Sequence, residues 1–172
     1  MSHIPSRIGT SGFACTELVQ AGDGFAAQRL STYLSPLGCS LDADAFRLAL
    51  PSQELEEARS SQPPGDGPML ILAPSSEDQD WPPERWLALP KSISTRLATL
   101  RSSTLDPGLP MRRRAAAVAC ADVILSSCAM TQRLAVYFGI PLVALGAIST
   151  DFPPRGDIRC LGVRSDLASL TE

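Results

Sequence analysis

A chain of 172 residues that is 44% hydrophobic and 19% charged has the composition of one ordinary globular domain, which excludes a disordered or fibrous polypeptide. Its formal net charge of -3 gives no electrostatic reason to expect nucleic acid or an anionic membrane as partner. No stretch approaches the roughly 18 apolar residues of a membrane span and no apolar leader opens the chain, so a soluble intracellular protein, or one held at a membrane only by a partner, is expected.

In chain order, residues 7–11 (RIGTS) read as a strand without the helix and strand that a βαβ fold places before it, so the chain is expected to enter an architecture partway through. Asp23 is placed to cap a helix in which Ala26, Leu30, Tyr33, Leu34 and Leu37 recur at helical spacing and which Gly38 ends. Residues 46–50 are a short extended candidate and 54–59 a polar helical turn or two. Residues 60–68 (SSQPPGDGP) are a linker by composition, and a boundary near Gly65 divides the chain into 1–65 and 66–172.

Residues 69–73 (MLILA) form a continuous apolar strand, followed by a polar loop and a helix starting at Pro82 or Pro83, where a missing N–H leaves nothing unpaired. That helix turns Trp86, Leu89 and Ile93 to one face and is kinked or shortened at Pro90. Residues 96–101 are a weak strand, 104–110 a loop, and 111–121 a small-residue helix with Ala115, Val118 and Ala119 inward. A βαβ unit follows: strand 122–127, helix 129–138 with Met130, Leu134, Tyr137 and Phe138 on its apolar face, Gly139 and Pro141 as stop signals, strand 141–146. A Pro-rich loop at 152–156, a last strand at 158–163 and a short helix from Asp166 complete the chain. The strand runs do not alternate polar with apolar, as strands buried on both faces of a parallel sheet require. The fold class is therefore α/β, a Rossmann-like doubly wound parallel sheet, with Leu70, Ile71, Val123, Ile124, Leu142, Val143 and Leu145 at its centre.

In such a sheet, ligands settle beyond the carboxyl ends of strands, where helix N-termini aim free N–H groups at anions. The loops 75–80 and 127–132 are the candidates, with Ser75, Ser76, Gln79, Ser127, Thr131 and Gln132 as contacts. Cys128 at a helix start has the setting of an activated thiol, but a structural thiol is the favoured reading. The five cysteines include no C-x-x-C pair and fit reduced thiols. His3, the only histidine, has no triad partner nearby, which disfavours a Ser-His-Asp hydrolase. Arg112, Arg113 and Arg114 open a helix whose dipole they oppose; they answer a phosphate or an acidic partner, or form a solvated charge run, the favoured reading. Glu77, Asp78 and Asp80 are explained by capping and solubility, and no metal site is assigned. Trp81 and Trp86 either stack on a base or form a core-and-rim pair.

The strand-loop-WPPERW segment, followed by ADVILSS, a helix and GIPLVALGA, resembles the C-terminal half of family 9 glycosyltransferases, the ADP-heptose:lipopolysaccharide heptosyltransferase group. The N-terminal RIGTSGF and the helix ending in PLG look like the tail of that family's first domain and the crossing into its second. The resemblance covers nearly the whole chain. It implies one half of a GT-B architecture, in which two Rossmann-like domains face a cleft and the second holds a nucleotide-diphosphate sugar, here of ADP-sugar type. By the resemblance residues 66–172 are that donor-binding domain, Cys128 and Met130 join the donor contacts, no further cofactor is implied, and a missing N-terminal half or first-domain partner supplies the catalytic base. The expected location becomes the cytoplasm, free or peripheral at the inner face of the cell membrane.

Departures from the family pattern fall in the same loops. Where the family places a lysine two residues before the tryptophan, this chain has Gln79; where the family reads D-[ST]-G-x-x-H, this chain reads Cys128-Ala129-Met130-Thr131-Gln132-Arg133. Met130 cannot offer the backbone approach that glycine permits. Each lost charge-assisted contact is worth about 1.5–3 kcal/mol. A glycosyltransferase acting on a cell-envelope glycan is therefore weighed against a catalytically degenerate homologue acting as a nucleotide- or protein-binding module. A generic Rossmann binding module is the third reading, although no G-x-G-x-x-G follows a strand.

Overall fold

The computed structural model describes residues 6–12, 14–20, 24–42, 47–76, 80–162 and 164–170. The chain divides into two compact units, Met1–Phe46 with Thr150–Pro153, and Arg47–Ser149 with Pro154–Glu172.

In the first unit, β1 (Ile8–Gly9) and β2 (Glu17–Leu18) pair in parallel, held by reciprocal bonds between Arg7 and Thr16, whose Oγ1 accepts the Arg7 N–H at 2.8 Å. Helix α1 (Ala26–Leu34) starts from Phe25; Asp23, the expected cap, lies outside the described residues, as does His3. A 3-10 turn, Ser35–Leu37, continues it to Gly38, whose left-handed φ of 71° ends the helical path where the sequence places the stop. Leu30 and Leu37, expected on the apolar face, are exposed.

The second unit opens with α2 (Ser52–Ser60) and continues through β3 (Met69–Ala73), α3 (Pro83–Ser94), β4 (Arg101–Thr104), α4 (Met111–Ala119), β5 (Val123–Ser126), α5 (Ala129–Phe138), β6 (Leu142–Leu145) and β7 (Ile158–Leu161), ending in a 3-10 segment, Arg164–Ser169. The Pro- and Gly-rich segment before β3 is fastened inside this unit. The Arg101 guanidinium donates to Gly67 O at 2.7 Å and Pro63 O at 3.3 Å, and a Cβ at Gly67 would lie 1.7 Å from Thr99 O, an approach only glycine allows. The two compact units part before Arg47. Residues 47–50 form no strand; Leu48 donates its N–H to Tyr137 O at 2.8 Å, at the end of α5, and Phe46 lies outside the described residues.

The five strands are all parallel, in the order β4-β3-β5-β6-β7, with Leu70 opposite Val123, Ile71 opposite Ile124 and Ile124 opposite Leu142. Alternation along each strand sends Leu70, Leu72, Leu125 and Leu145 to one face, against Trp81, Trp86 and Leu167. Met69, Ile71, Ile124 and Leu142 go to the other and are buried as deeply. Of the expected central residues, Val123 and Val143 are only half-buried, at the margin of the first cluster. Trp81 and Trp86 meet edge to face at 5.4 Å, so both tryptophans belong to the core and neither is free to stack on a base.

Two elements differ from expectation. Residues 95–100 turn, and the strand occupies Arg101–Thr104 instead of 96–101, because an edge strand needs no apolar run and the register is set by Met69 pairing Arg101. Helix α3 is not shortened at Pro90 but runs on to Ser94, since Trp86, Leu89 and Ile93 anchor its two halves to one core cluster. Pro90 removes one N–H, but packing on both sides of it outweighs that loss.

Candidate functional site

Between β3 and β5 the strand order reverses, since β3 is followed on one side by β4 and on the other by β5. This is the topological switch point of a doubly wound sheet, and the crevice beyond its carboxyl ends is the place where such folds take ligands. The β3–α3 and β5–α5 loops flank it, and side chains tie them to each other.

Ser75 donates its N–H to both Ser127 Oγ at 2.8 Å and Asp80 Oδ2 at 2.7 Å, while Asp80 Oδ1 accepts from the Trp81 N–H at 2.7 Å. Asp80 thus folds its loop back on itself, as a capping acid. The Ser126 hydroxyl donates to Ala73 O at 2.9 Å and accepts the Cys128 N–H at 3.0 Å. These bonds fix the two strand ends and the start of α5 as one piece. Gln132 extends it to β6, its amide donating to Ser126 O at 2.8 Å and Leu145 O at 3.1 Å. Arg114 reaches from α4, donating to Thr131 Oγ1 at 3.1 Å and to the carbonyls of Asp106 at 2.9 Å and Pro107 at 2.8 Å.

The predicted contacts therefore separate by direction. Ser76 and Met130 are exposed, Met130 to 46%, and Ser75 and Cys128 are half-buried beside them. Ser127 is buried, its oxygen occupied by the Ser75 amide. Thr131, at 0% exposure, and Gln132, at 2%, face inward, so their side chains hold the crevice together rather than line it. Gln79 lies outside the described residues, as do Glu77 and Asp78. The buried face of α5 runs through Thr131, Gln132, Leu134, Ala135 and Val136; of the expected face Leu134 is buried, Tyr137 and Phe138 are half-buried and Met130 is exposed.

Cys128 is the N-cap of α5, and its side chain caps no N–H there. The first intrahelical bond runs from the Gln132 N–H to Cys128 O, and no acceptor among the described residues meets the amides of Ala129 and Met130. Ala129 and Met130 are both exposed. Free first-turn amides on a helix of 10 residues are suited to an anionic group.

Ser126 was not among the expected contacts, and Arg114, read with Arg112 and Arg113 as a solvated charge run, is instead buried at 3% exposure. Arg114 is one turn from Val118, so the helical phase that buries Val118 also carries Arg114 inward. Of its neighbours, Arg112 pairs with Glu54 and Arg113 is exposed. A separate cavity of about 770 Å³ lies between α2, α4 and the β3–β4 half of the sheet, lined by Glu54, Gln62, Met69, Ile71, Leu105 and Arg112. None of the predicted contact residues lines it.

No protein-family model matches this sequence, and no curated protein matches it. Solved structures do share its fold. An E. coli ADP-heptose lps heptosyltransferase II superposes with a TM-score of 0.51 at 17% identity, over 71% of this chain and 46% of its own. A glycosyl transferase family 9 structure from Veillonella parvula DSM 2008 does so with a TM-score of 0.60 at 15% identity, over 92% of this chain and 56% of its own. The chain thus spans about half the length of the solved structures it matches, and it shares the α/β fold of the matched part of those glycosyltransferase structures.

Proposed function

We propose that this chain is the donor-binding half of a family 9-type glycosyltransferase, holding an ADP-sugar of the ADP-heptose type in the β3/β5 crevice for transfer to a cell-envelope glycan. The observation that carries the reading is the free first-turn amides of α5 beside a rigid switch-point crevice, in a fold shared with two such enzymes. The diphosphate would accept from the Ala129 and Met130 amides, with Ser75, Ser76 and the Cys128 backbone completing its surroundings. In the displacement at the anomeric carbon, these N–H groups stabilise the departing diphosphate. The base that deprotonates the acceptor hydroxyl comes from a first domain facing the crevice, because one wall of a cleft cannot align both reactants. Such a reaction belongs to the cytoplasm or the inner face of the cell membrane; among the described residues no helix is long and apolar enough to cross a membrane.

A specific observation favours a second reading, a non-catalytic nucleotide- or protein-binding module. Met130, 46% exposed in the first turn of α5, stands where the family pattern has glycine, and a side chain at that position denies a ligand the close backbone approach that glycine permits. Thermal unfolding with ADP, ADP-heptose and adenosine tests the donor-site reading. A ligand at a hundred times its Kd stabilises the folded state by about 2.7 kcal/mol. ADP and ADP-heptose are expected to raise Tm well above the adenosine value, with no sustained ADP release from ADP-heptose by the chain alone. No stabilisation by either diphosphate at millimolar concentration would contradict the site.

A further inference from the structure

Arg114 is 3% exposed, yet all three of its hydrogen-bond acceptors are neutral: the Asp106 and Pro107 carbonyls and the Thr131 hydroxyl. Among the described residues no carboxylate pairs with it; the Asp106 carboxylate instead accepts the Gly108 N–H at 2.8 Å. A buried guanidinium is ordinarily matched by an anion. This one also stands in the first turn of α4, where the helix dipole disfavours a cation. Its charge is directed out of α4, toward the first turn of α5, where Thr131 receives it just beyond the free amides of Ala129 and Met130.

We propose that Arg114 is the specificity-determining residue that makes the crevice select a diphosphate over a neutral ligand, its unmatched charge reinforcing the α5 N-terminus from behind Thr131. The inference rests on the donor-site reading and adds to it the source of the positive charge in a site whose loop has Gln79 in place of a lysine. The ligand never touches Arg114. At an effective dielectric of about 20, a cation and an anion about 6–12 Å apart are coupled by roughly one to two orders of magnitude in affinity.

The test measures dissociation constants of ADP, inorganic pyrophosphate and adenosine for the whole chain by calorimetry, in the wild type, Arg114→Gln and Arg114→Lys, with a thermal melt of each to establish folding. The expected result is a loss of about tenfold to a hundredfold for ADP and pyrophosphate in Arg114→Gln, adenosine unchanged within about twofold, and recovery of most of the loss in Arg114→Lys. Purely structural damage would lower ADP and adenosine affinity in parallel and would not be rescued by lysine, overturning the proposal while leaving the donor site intact. Unchanged ADP and pyrophosphate affinity in a folded Arg114→Gln likewise overturns the proposal, and if Arg114→Gln does not fold, Arg114→Met replaces it under the same criteria. A wild-type chain that binds neither ADP nor pyrophosphate overturns the donor-site reading and this inference with it.

Discussion

The amide nitrogen of Gln132 donates to the last carbonyls of both β5 and β6, Ser126 O at 2.8 Å and Leu145 O at 3.1 Å, from a site that water does not reach. Gln132→Leu keeps the volume and strips both acceptors of their partner. A stability loss of about 1–3 kcal/mol is expected from denaturant unfolding; a loss below about 0.5 kcal/mol would show that the bridge contributes little. Polar side chains beside strand ends look alike in a sequence whether they point at a ligand or back into the fold. What separates them is helical phase. Thr131 and Gln132 stand four residues before the buried Ala135 and Val136, and Arg114 four before Val118, so the inward course of all three was present in the spacing.

At the scale of elements, β3, β5 and β6 were legible because strands buried on both faces carry uninterrupted apolar runs, and α5 because Gly139 ends it in the left-handed region at φ 74°. The edge strand β4, Arg-Ser-Ser-Thr, has no such pattern, and the survival of α3 beyond Pro90 depends on tertiary anchoring that no local rule contains. The end of α5 carries a further device. Arg155 donates to Val136 O at 3.3 Å and Gly139 O at 3.0 Å while pairing with Asp157, placing a cation against the helix C-terminus. The Arg155 hydrogen bond, aided by the charges of Arg155 and Arg47, holds the Asp157 carboxyl below its ordinary range against the opposing effect of burial. With the folded-state pKa depressed, the unfolded chain binds the proton more tightly. The stabilisation is therefore complete above the usual aspartate value of about 4 and is lost as pH falls through the lower folded value. Asp157→Asn is expected to be less stable than wild type at neutral pH, with the difference closing in acid; a difference independent of pH between neutrality and about pH 3 would contradict the pairing.

For the whole molecule, hydrophobic periodicity counts strands but does not order them, and it was the order β4-β3-β5-β6-β7 that located the switch point. The candidate crevice follows from that order together with the loop chemistry, and the match to about half of two glycosyltransferase structures supplies the reading of a cleft with a second wall. The most direct test of the central claim is a titration of the chain with ADP-heptose, followed by backbone amide chemical shifts. Saturable shifts are expected to concentrate at Ser75, Ser76, Ala129 and Met130, with Arg114 and Thr131 following as the field around them changes. Saturable shifts confined to the opposite, amino-terminal edge of the sheet, around Met69 and Asp122, or no saturable shift at all, would contradict it.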